Sequence, residues 1–263
     1  MNATTKDFGP IRDDYAFFEN HSTEADADIQ AYMPHVQALM AKKPSIHMLD
    51  FGCGDGNFSA KFHASAQIPA ERLRLSLVEP ETVYRQTAIA RLQPLTIHPI
   101  QAWPERPSAF ETTFDLILAN HVLYYVPDLD STVLALTRAL APGGLFLLAM
   151  GGQRNVLMNF AEHGFGLIGI DVPYHTAEEL QIVLAQQKIR YTVEDVYYEL
   201  CFPDSAKNRL SVLRFLLGEH FQKIPRKVIL DLFNPYAADG QIGVPIMHEH
   251  FIIQGHEVPE WNR

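Results

Sequence analysis

The sequence predicts an α/β fold: a seven-stranded, mostly parallel sheet with an antiparallel last strand, helices on both faces, and a small cap. Three observations predict it. Short apolar runs alternate with helix-like stretches between residues 45 and 150. A glycine-rich turn joins the first run to the stretch after it. Beyond residue 153 the pattern changes to late strand-like runs separated by helical segments. Strands alternating with helices argue for a parallel sheet with right-handed crossovers, and the late runs for an antiparallel edge.

The elements follow in order. Residues 1–20 are polar with interspersed rings, Phe8, Tyr15, Phe17 and Phe18, and so many rings predict a segment that packs over something. Ser22 or Thr23 can cap a helix from about Glu24 to Lys42, whose apolar face is Ile29, Met33, Val36 and Met40. Strands are expected at 45–52, 73–80, 95–102, 114–120 and 145–150, with helices near 56–66, 81–92 and 128–141, and a turn at Pro142-Gly143-Gly144. Thr176 and Glu179 form a capping box that opens a helix to about Gln187. Strands at 191–202 and 248–255 bracket helices at 205–220 and 225–233. With no repeat or linker visible, 1–263 is one domain. It comprises an N-terminal lid and helix (1–42), a core that binds the cofactor (43–152) and a C-terminal part (153–263) with the substrate-binding cap and last two strands.

The most informative segment is Asp50-Phe51-Gly52-Cys53-Gly54-Asp55-Gly56, at a strand-to-helix junction. Gly52, Gly54 and Gly56 let the chain turn sharply and leave no Cβ between backbone and ligand. The following helix presents free N–H groups. A dinucleotide loop has the spacing G-x-G-x-x-G and holds pyrophosphate. Here the spacing is G-x-G-x-G, and Asp50 and Asp55 would repel a pyrophosphate but suit a ligand bearing an ammonium group. Glu79 closes the second strand at about the offset where a Rossmann acid meets ribose hydroxyls. The set predicts a Rossmann-like site for S-adenosyl-L-methionine, with a nicotinamide or flavin cofactor and a purely structural turn as the alternatives. Gln101 and Ala102 at the third strand, and Asn120 after the fourth, complete the expected cofactor site. His121 lies beside it, because ligands of open α/β sheets bind beyond the carboxyl ends of the strands.

Composition narrows the partner. The formal net charge is −10 and no Lys/Arg run is visible, so a nucleic acid is not expected. Asn-His-Val-Leu at 120–123 does not match the N-P-P-Y signature of enzymes that methylate DNA bases. The N-terminus has no apolar signal region and no stretch reaches the length of a membrane span, which predicts a cytoplasmic protein without membrane partners, monomer or homodimer. Cys53 and Cys201 are too few for a disulfide framework and are expected as buried thiols.

Two segments go beyond the general fold. Phe18-Glu19-Asn20-His21-Ser22-Thr23-Glu24 and Val122-Leu123-Tyr124-Tyr125-Val126-Pro127-Asp128 resemble the F-x-N-H-S-T-E and M-L-Y-Y-V-x-D stretches of the histamine N-methyltransferase family. Val78-Glu79-Pro80 and Asp231-Leu232-Phe233-Asn234-Pro235 resemble further segments of it. The resemblance implies that Glu24 contacts a substrate amine from the lid, that Tyr15, Phe18, Tyr124, Tyr125 and Phe160 wall the pocket, and that an amine or imidazole nitrogen accepts the methyl group. The family's glutamine before M-L-Y-Y is His121 here, and its last-strand asparagine falls near His248. Imidazoles in place of amides change the donor, acceptor and charge options, so histamine itself is not the expected substrate.

Each residue also has a structural reading. Glu24 can simply favour a helix N-terminus, His121 can be a satisfied core histidine, and the tyrosines can be core. His248 and His250 share one strand face and, with His121 or Glu249, resemble a ligand set. The pair is weak alone, and no metal is expected. In the expected mechanism His121 is the base and Glu24 holds a cationic part of the substrate. An O- or S-methyltransferase and a non-catalytic cofactor-binding protein are the competing functions.

Overall fold

The computed structural model describes residue 6 and residues 8–255. One mixed sheet is its centre. The strands are β1 (Ile46–Phe51), β2 (Leu73–Val78), β3 (Gln101–Trp103), β4 (Phe114–Asn120), β5 (Leu140–Met150), β6 (Tyr191–Pro203), β7 (Ala237–Ala238) and β8 (Gln241–Gln254). Their order is β3-β2-β1-β4-β5-β8-β6, with the two-residue β7 pairing β8. The first five strands are mutually parallel, and β8 runs antiparallel to both β5 and β6. The mostly parallel sheet, antiparallel edge and flanking helices match the fold class predicted above.

The helices are α1 (Arg12–His21), α2 (Glu24–Lys42), α3 (Asn57–Ala66), α4 (Thr82–Leu92), α5 (Leu129–Arg138), α6 (Val156–Gly166), α7 (Ala177–Gln186), α8 (Ala206–Leu217) and α9 (Arg226–Leu230). Three buried clusters result. One lies on the sheet face covered by α5 and α7 and centres on Ile117, Leu136, Phe146 and Phe251. The opposite face, under α2, α3 and α4, centres on Tyr32, Phe62, Leu75 and Leu118. The third joins α1, α6, α8 and α9 to the far halves of β6 and β8 and forms the cap.

Several expectations change. The segment expected to be a strand from 95 folds as a 3-10 turn at Gln93–Leu95, and β3 begins only at Gln101. Pro94 and Pro99 lack the N–H that a ladder needs. α1 and α6 form where no helix was expected. α1 has Asp13 and Asp14 in its first turn, and α6 is capped by Asn155, which accepts from the backbone N–H of Leu157 and Met158. Thr23 does not cap α2 with its side chain. Its hydroxyl and backbone instead bond to Glu199 of β6, and Ser22 Oγ accepts from the Glu24 N–H at 3.1 Å. Cys53 is buried as expected, whereas Cys201 is exposed. Among the described residues, no helix is long and apolar enough to cross a membrane.

Candidate functional site

Three sites meet beyond the carboxyl ends of the parallel strands: the glycine loop, a carboxylate–histidine cluster, and a cage of aromatic rings.

The loop turns through three left-handed glycines, Gly52 (φ 78°), Gly54 (φ 55°) and Gly56 (φ 80°). A Cβ on Gly52 would collide with the Val122 side chain, and one on Gly56 would press on Ala88 of α4. Gly54 faces open space. Its N–H donates to Glu79 Oε2 at 3.0 Å, while Glu79 Oε1 accepts from the Glu81 N–H at 2.9 Å. Asp50 is buried and accepts from Ser59 Oγ. Burial pushes its pKa up to about 7, with the Ser59 hydrogen bond opposing and the Glu79 charge adding to the rise. Asp55, expected to face a ligand, is held by Arg91 at 2.7 Å and by the Asn57 N–H.

The loop therefore offers an open glycine flanked by two carboxylates. That donor set fits a phosphate-free sulfonium bearing an amino-acid tail and disfavours a pyrophosphate. Because β3 starts at Gln101, that residue pairs with Ser76 in the middle of β2 and is exposed, Ala102 pairs with Leu77, and Trp103 takes the strand-end position. Trp103 packs edge-on against Phe110 at 5.6 Å. The lid helix α1 reaches this end through Arg12, whose guanidinium lies 5.3 Å from the Tyr84 ring.

The cluster is built on Asp28, which the sequence reading did not single out. Asp28 is fully buried on α2. Its Oδ1 accepts from Nε2 of His248 (2.7 Å) and Nε2 of His250 (2.8 Å). Its Oδ2 accepts from Asn120 Nδ2 (2.8 Å) and His121 Nε2 (3.2 Å). Burial alone would raise the Asp28 pKa, but the His121 charge and the bonds from the three imidazoles outweigh it and hold the carboxyl well below its usual range. Tyr32 donates to Asn120 Oδ1 at 2.9 Å and stacks on His250 at 4.2 Å. The Asn120 amide, expected at the cofactor, thus belongs to the cluster instead. Glu249, the other acid weighed as a ligand, is bonded to Arg154 at 2.9 Å.

Glu24 closes the mouth of the cluster, 3.6 Å from His121 Nε2 and 4.0 Å from His248 Nδ1. His121 has a left-handed backbone (φ 54°), a strained conformation of the kind that collects at sites. Burial works to lower its pKa, yet the Glu24 and Asp28 carboxylates prevail and raise it to about 9. That rise favours the protonated imidazole, which acts as a donor toward Asp28 and makes His121 a weaker candidate for the base expected from the sequence. Its Nδ1 lies 3.4 Å from the Tyr124 hydroxyl, which also accepts the Gly151 N–H.

The cage continues from there. Tyr125 lies 5.6 Å from Tyr124 and edge-on to Tyr174 at 5.3 Å. Phe8 packs on both Tyr125 and Tyr15, and Tyr15 on Phe215 at 5.4 Å. The Lys6 ammonium lies inside, 4.4 Å from the Phe215 ring centre, 5.2 Å from Tyr125 and 5.3 Å from Phe8 and Tyr174. Burial lowers its pKa to about 7. Of the other expected wall residues, Phe18 is buried behind the cage, stacked on its Phe215 ring at 4.8 Å, whereas Phe160 packs against Phe233 in the cap core.

Comparison with known proteins bears on the family and the fold. A family profile described as a methyltransferase domain matches residues 25–176, more than half of the chain. Curated relatives are a trans-aconitate 2-methyltransferase of Delftia acidovorans, 31% identical over 143 residues, and one of Methylobacterium radiotolerans, 32% identical over 137 residues. The matches cover 53% and 52% of this chain and 48% and 47% of those relatives, so the chain spans about half the length of the curated relatives it matches. Among solved structures, the YcgJ protein of Bacillus subtilis superposes with a TM-score of 0.56 at 17% identity, covering 85% of this chain and 99% of that one. A putative methyltransferase of Bacillus halodurans gives 0.54 at 14% identity, covering 84% and 98%. At that identity the superpositions speak for the fold. With the family match and the acidic glycine loop, they establish that the chain belongs to the class I S-adenosylmethionine-dependent methyltransferases.

Proposed function

We propose that this chain methylates a small molecule at an amine or imidazole nitrogen. The observation that carries the reading is the ring cage, which already surrounds an ammonium group, that of Lys6, at 4.4–5.3 Å. A substrate ammonium entering beside Tyr125 takes the same surroundings, displaces Lys6 and comes under the Glu24 carboxylate. Glu24 is oriented by Tyr198, with which it shares a hydrogen bond. The N-H-S-T-E stretch that resembles histamine N-methyltransferase assigns the same role to Glu24.

Asp50, Gly52, Gly54 and Glu79 would hold S-adenosylmethionine, which would supply an activated methyl group on a sulfonium. The chain's own residues supply position and desolvation. A nitrogen attacks only with a free lone pair, so the bound ammonium first gives up a proton; burial in the cage eases that loss, as it does for Lys6, and the Glu24 carboxylate is the acceptor beside it. His121, held through Asp28 and the Tyr124 hydroxyl oxygen, leaves the Tyr124 O–H as the donor that orients the rest of the substrate.

A second reading follows from the relatives' name. Trans-aconitate is a tricarboxylate, and the His121 imidazole at the mouth could pair with such an anion, making an oxygen the acceptor. Transfer of labelled methyl from S-adenosylmethionine to a panel of amines, imidazoles and di- and tricarboxylates separates the two. Labelled amines or imidazoles support the proposal, and label confined to carboxylates replaces it with the second reading. Cofactor binding without transfer to any of them would point to a binding protein. Lys6→Met should lower KM for the accepted amine about tenfold, the effect of removing a competing cation–π contact of about 1 kcal/mol or more.

A further inference from the structure

We propose that Asp28, His248 and His250 form a binding site for one divalent first-row transition ion of the zinc class. The inference does not depend on which substrate atom is methylated.

Asp28 Oδ1, His248 Nε2 and His250 Nε2 form a triangle with edges of 2.7, 2.8 and 3.2 Å. Ligand atoms bound about 2.0–2.2 Å from a common ion stand about 3 Å apart when their bonds meet near right angles and about 3.4 Å apart in a tetrahedron, so the triangle fits a five- or six-coordinate ion directly and opens by a few tenths of an ångström for tetrahedral zinc. The three atoms are within reach of one another as a group of possible ligands, and all three residues are fully buried. Two imidazoles and one carboxylate favour a zinc-class ion over magnesium or calcium, which prefer all-oxygen shells. Three protein ligands also leave positions for water or a substrate atom.

Without an ion the same atoms are poorly matched. Two ring N–H groups must aim at one oxygen, with their nitrogens 3.2 Å apart. Nδ1 of each ring is buried without a hydrogen-bond partner. His248 Nδ1 stands 4.0 Å from the Glu24 carboxylate, too far for a hydrogen bond. An ion on Nε2 moves the ring proton to Nδ1, and the facing pair becomes an N–H directed at a carboxylate. That arrangement is the usual outer shell of a metal-bound histidine. Asp28 Oδ2 keeps its bond from Asn120, which holds the carboxylate in plane for the ion. The ligands come from α2 and β8, so the ion would join the start of the chain to its last strand.

The test uses the full chain, stripped with a chelator and titrated with zinc alone. One zinc per chain is expected by elemental analysis, with a rise in Tm that the chelator reverses. Crystals soaked in zinc should show an anomalous peak between the three side chains. Asp28→Asn and His250→Gln should lose that equivalent, while His175→Gln, far from the triangle, should retain it. Substoichiometric zinc in the wild type overturns the proposal. So does an equivalent retained by both variants, or a peak at Glu24 and His121 instead. If the variants do not fold, the peak position in wild-type crystals decides alone. Methyl transfer that fails while zinc binds at the triangle would leave this site standing and remove the proposed activity instead.

Discussion

Four donors converge on the Asp28 carboxylate, and none of its partners is nearer than 92 residues in sequence. The sequence reading could not see this. It took Ile29, Met33, Val36 and Met40 as the buried stripe of α2, whereas the buried residues are Asp28, Ile29, Tyr32, Val36 and Leu39. The stripe is rotated by about one residue, and an aspartate on a helix looks the same in sequence whether solvated or buried. The signal that could have found it was the H-x-H pair at 248 and 250, since two histidines on a buried strand face need an acceptor. Glu24 was singled out only by what the N-H-S-T-E resemblance implies, and its contact with substrate stands as a proposal. Glu24→Gln should raise KM for an amine substrate about tenfold or more, the loss of a charged hydrogen bond of about 1.5–3 kcal/mol. Cofactor affinity, measured by calorimetry, should stay unchanged.

Asp50 gives a pH prediction. Its folded pKa of about 7 lies above the ordinary carboxyl value, so the cofactor-free fold binds the proton more tightly than the unfolded chain does. Stability of that form should therefore fall as pH rises from about 4 towards 7. A cationic ligand prefers the ionised carboxylate. S-Adenosylmethionine affinity should rise as pH increases through 7, by up to about tenfold per unit below it, and level off above. Calorimetry at pH 6 and pH 8 measures this, and a flat profile would remove Asp50 from the binding site.

Among the elements, the glycine loop was the most legible, because its chemistry is local: a left-handed turn needs glycine wherever it occurs. Gly52→Ala tests the point. The position combines φ 78° with a Cβ that would collide with Val122. Destabilisation of at least about 1–3 kcal/mol is expected from backbone strain alone, read as a lower Tm together with lost cofactor binding. Strands β1, β2 and β4 were equally clear as short apolar runs. β3 was not, since Thr96 and Ile97 resemble a strand while the prolines beside them forbid the ladder. The helices of the cap were partly missed for a different reason. α6 buries one face, Leu157, Phe160, Ala161, Gly164 and Phe165 at three- and four-residue spacing, and exposes Asn159, Glu162 and His163, so its pattern was legible and only the glycines at 164 and 166, poor helix formers, spoke against it.

Over the whole molecule, the two sheet faces were implied by the alternation of elements, but the path from Lys6 through Tyr125, Tyr124 and His121 to Asp28 was not. It draws residues from three separate segments, the start of the described chain, α2 and the turn after β4, and only the folded sheet brings them into line. The cage holds a cation where burial disfavours one. Lys6→Met keeps the length of the side chain and removes that penalty. The variant also gives up the cation–π contacts, so the two changes offset and Tm by calorimetry should move by less than about 2 °C while KM falls.

The stitch between Thr23 and Glu199 and the Ser22–Leu200 bridge span most of the polypeptide. Bringing such distant segments together requires closing a very large loop, which makes the contact slow to form. A chain emerging from the ribosome would therefore complete its nucleotide-binding half long before the wall around Glu24 exists. Competence to choose an acceptor would arrive last, as β8 inserts between β5 and β6 and supplies both histidines at one stroke.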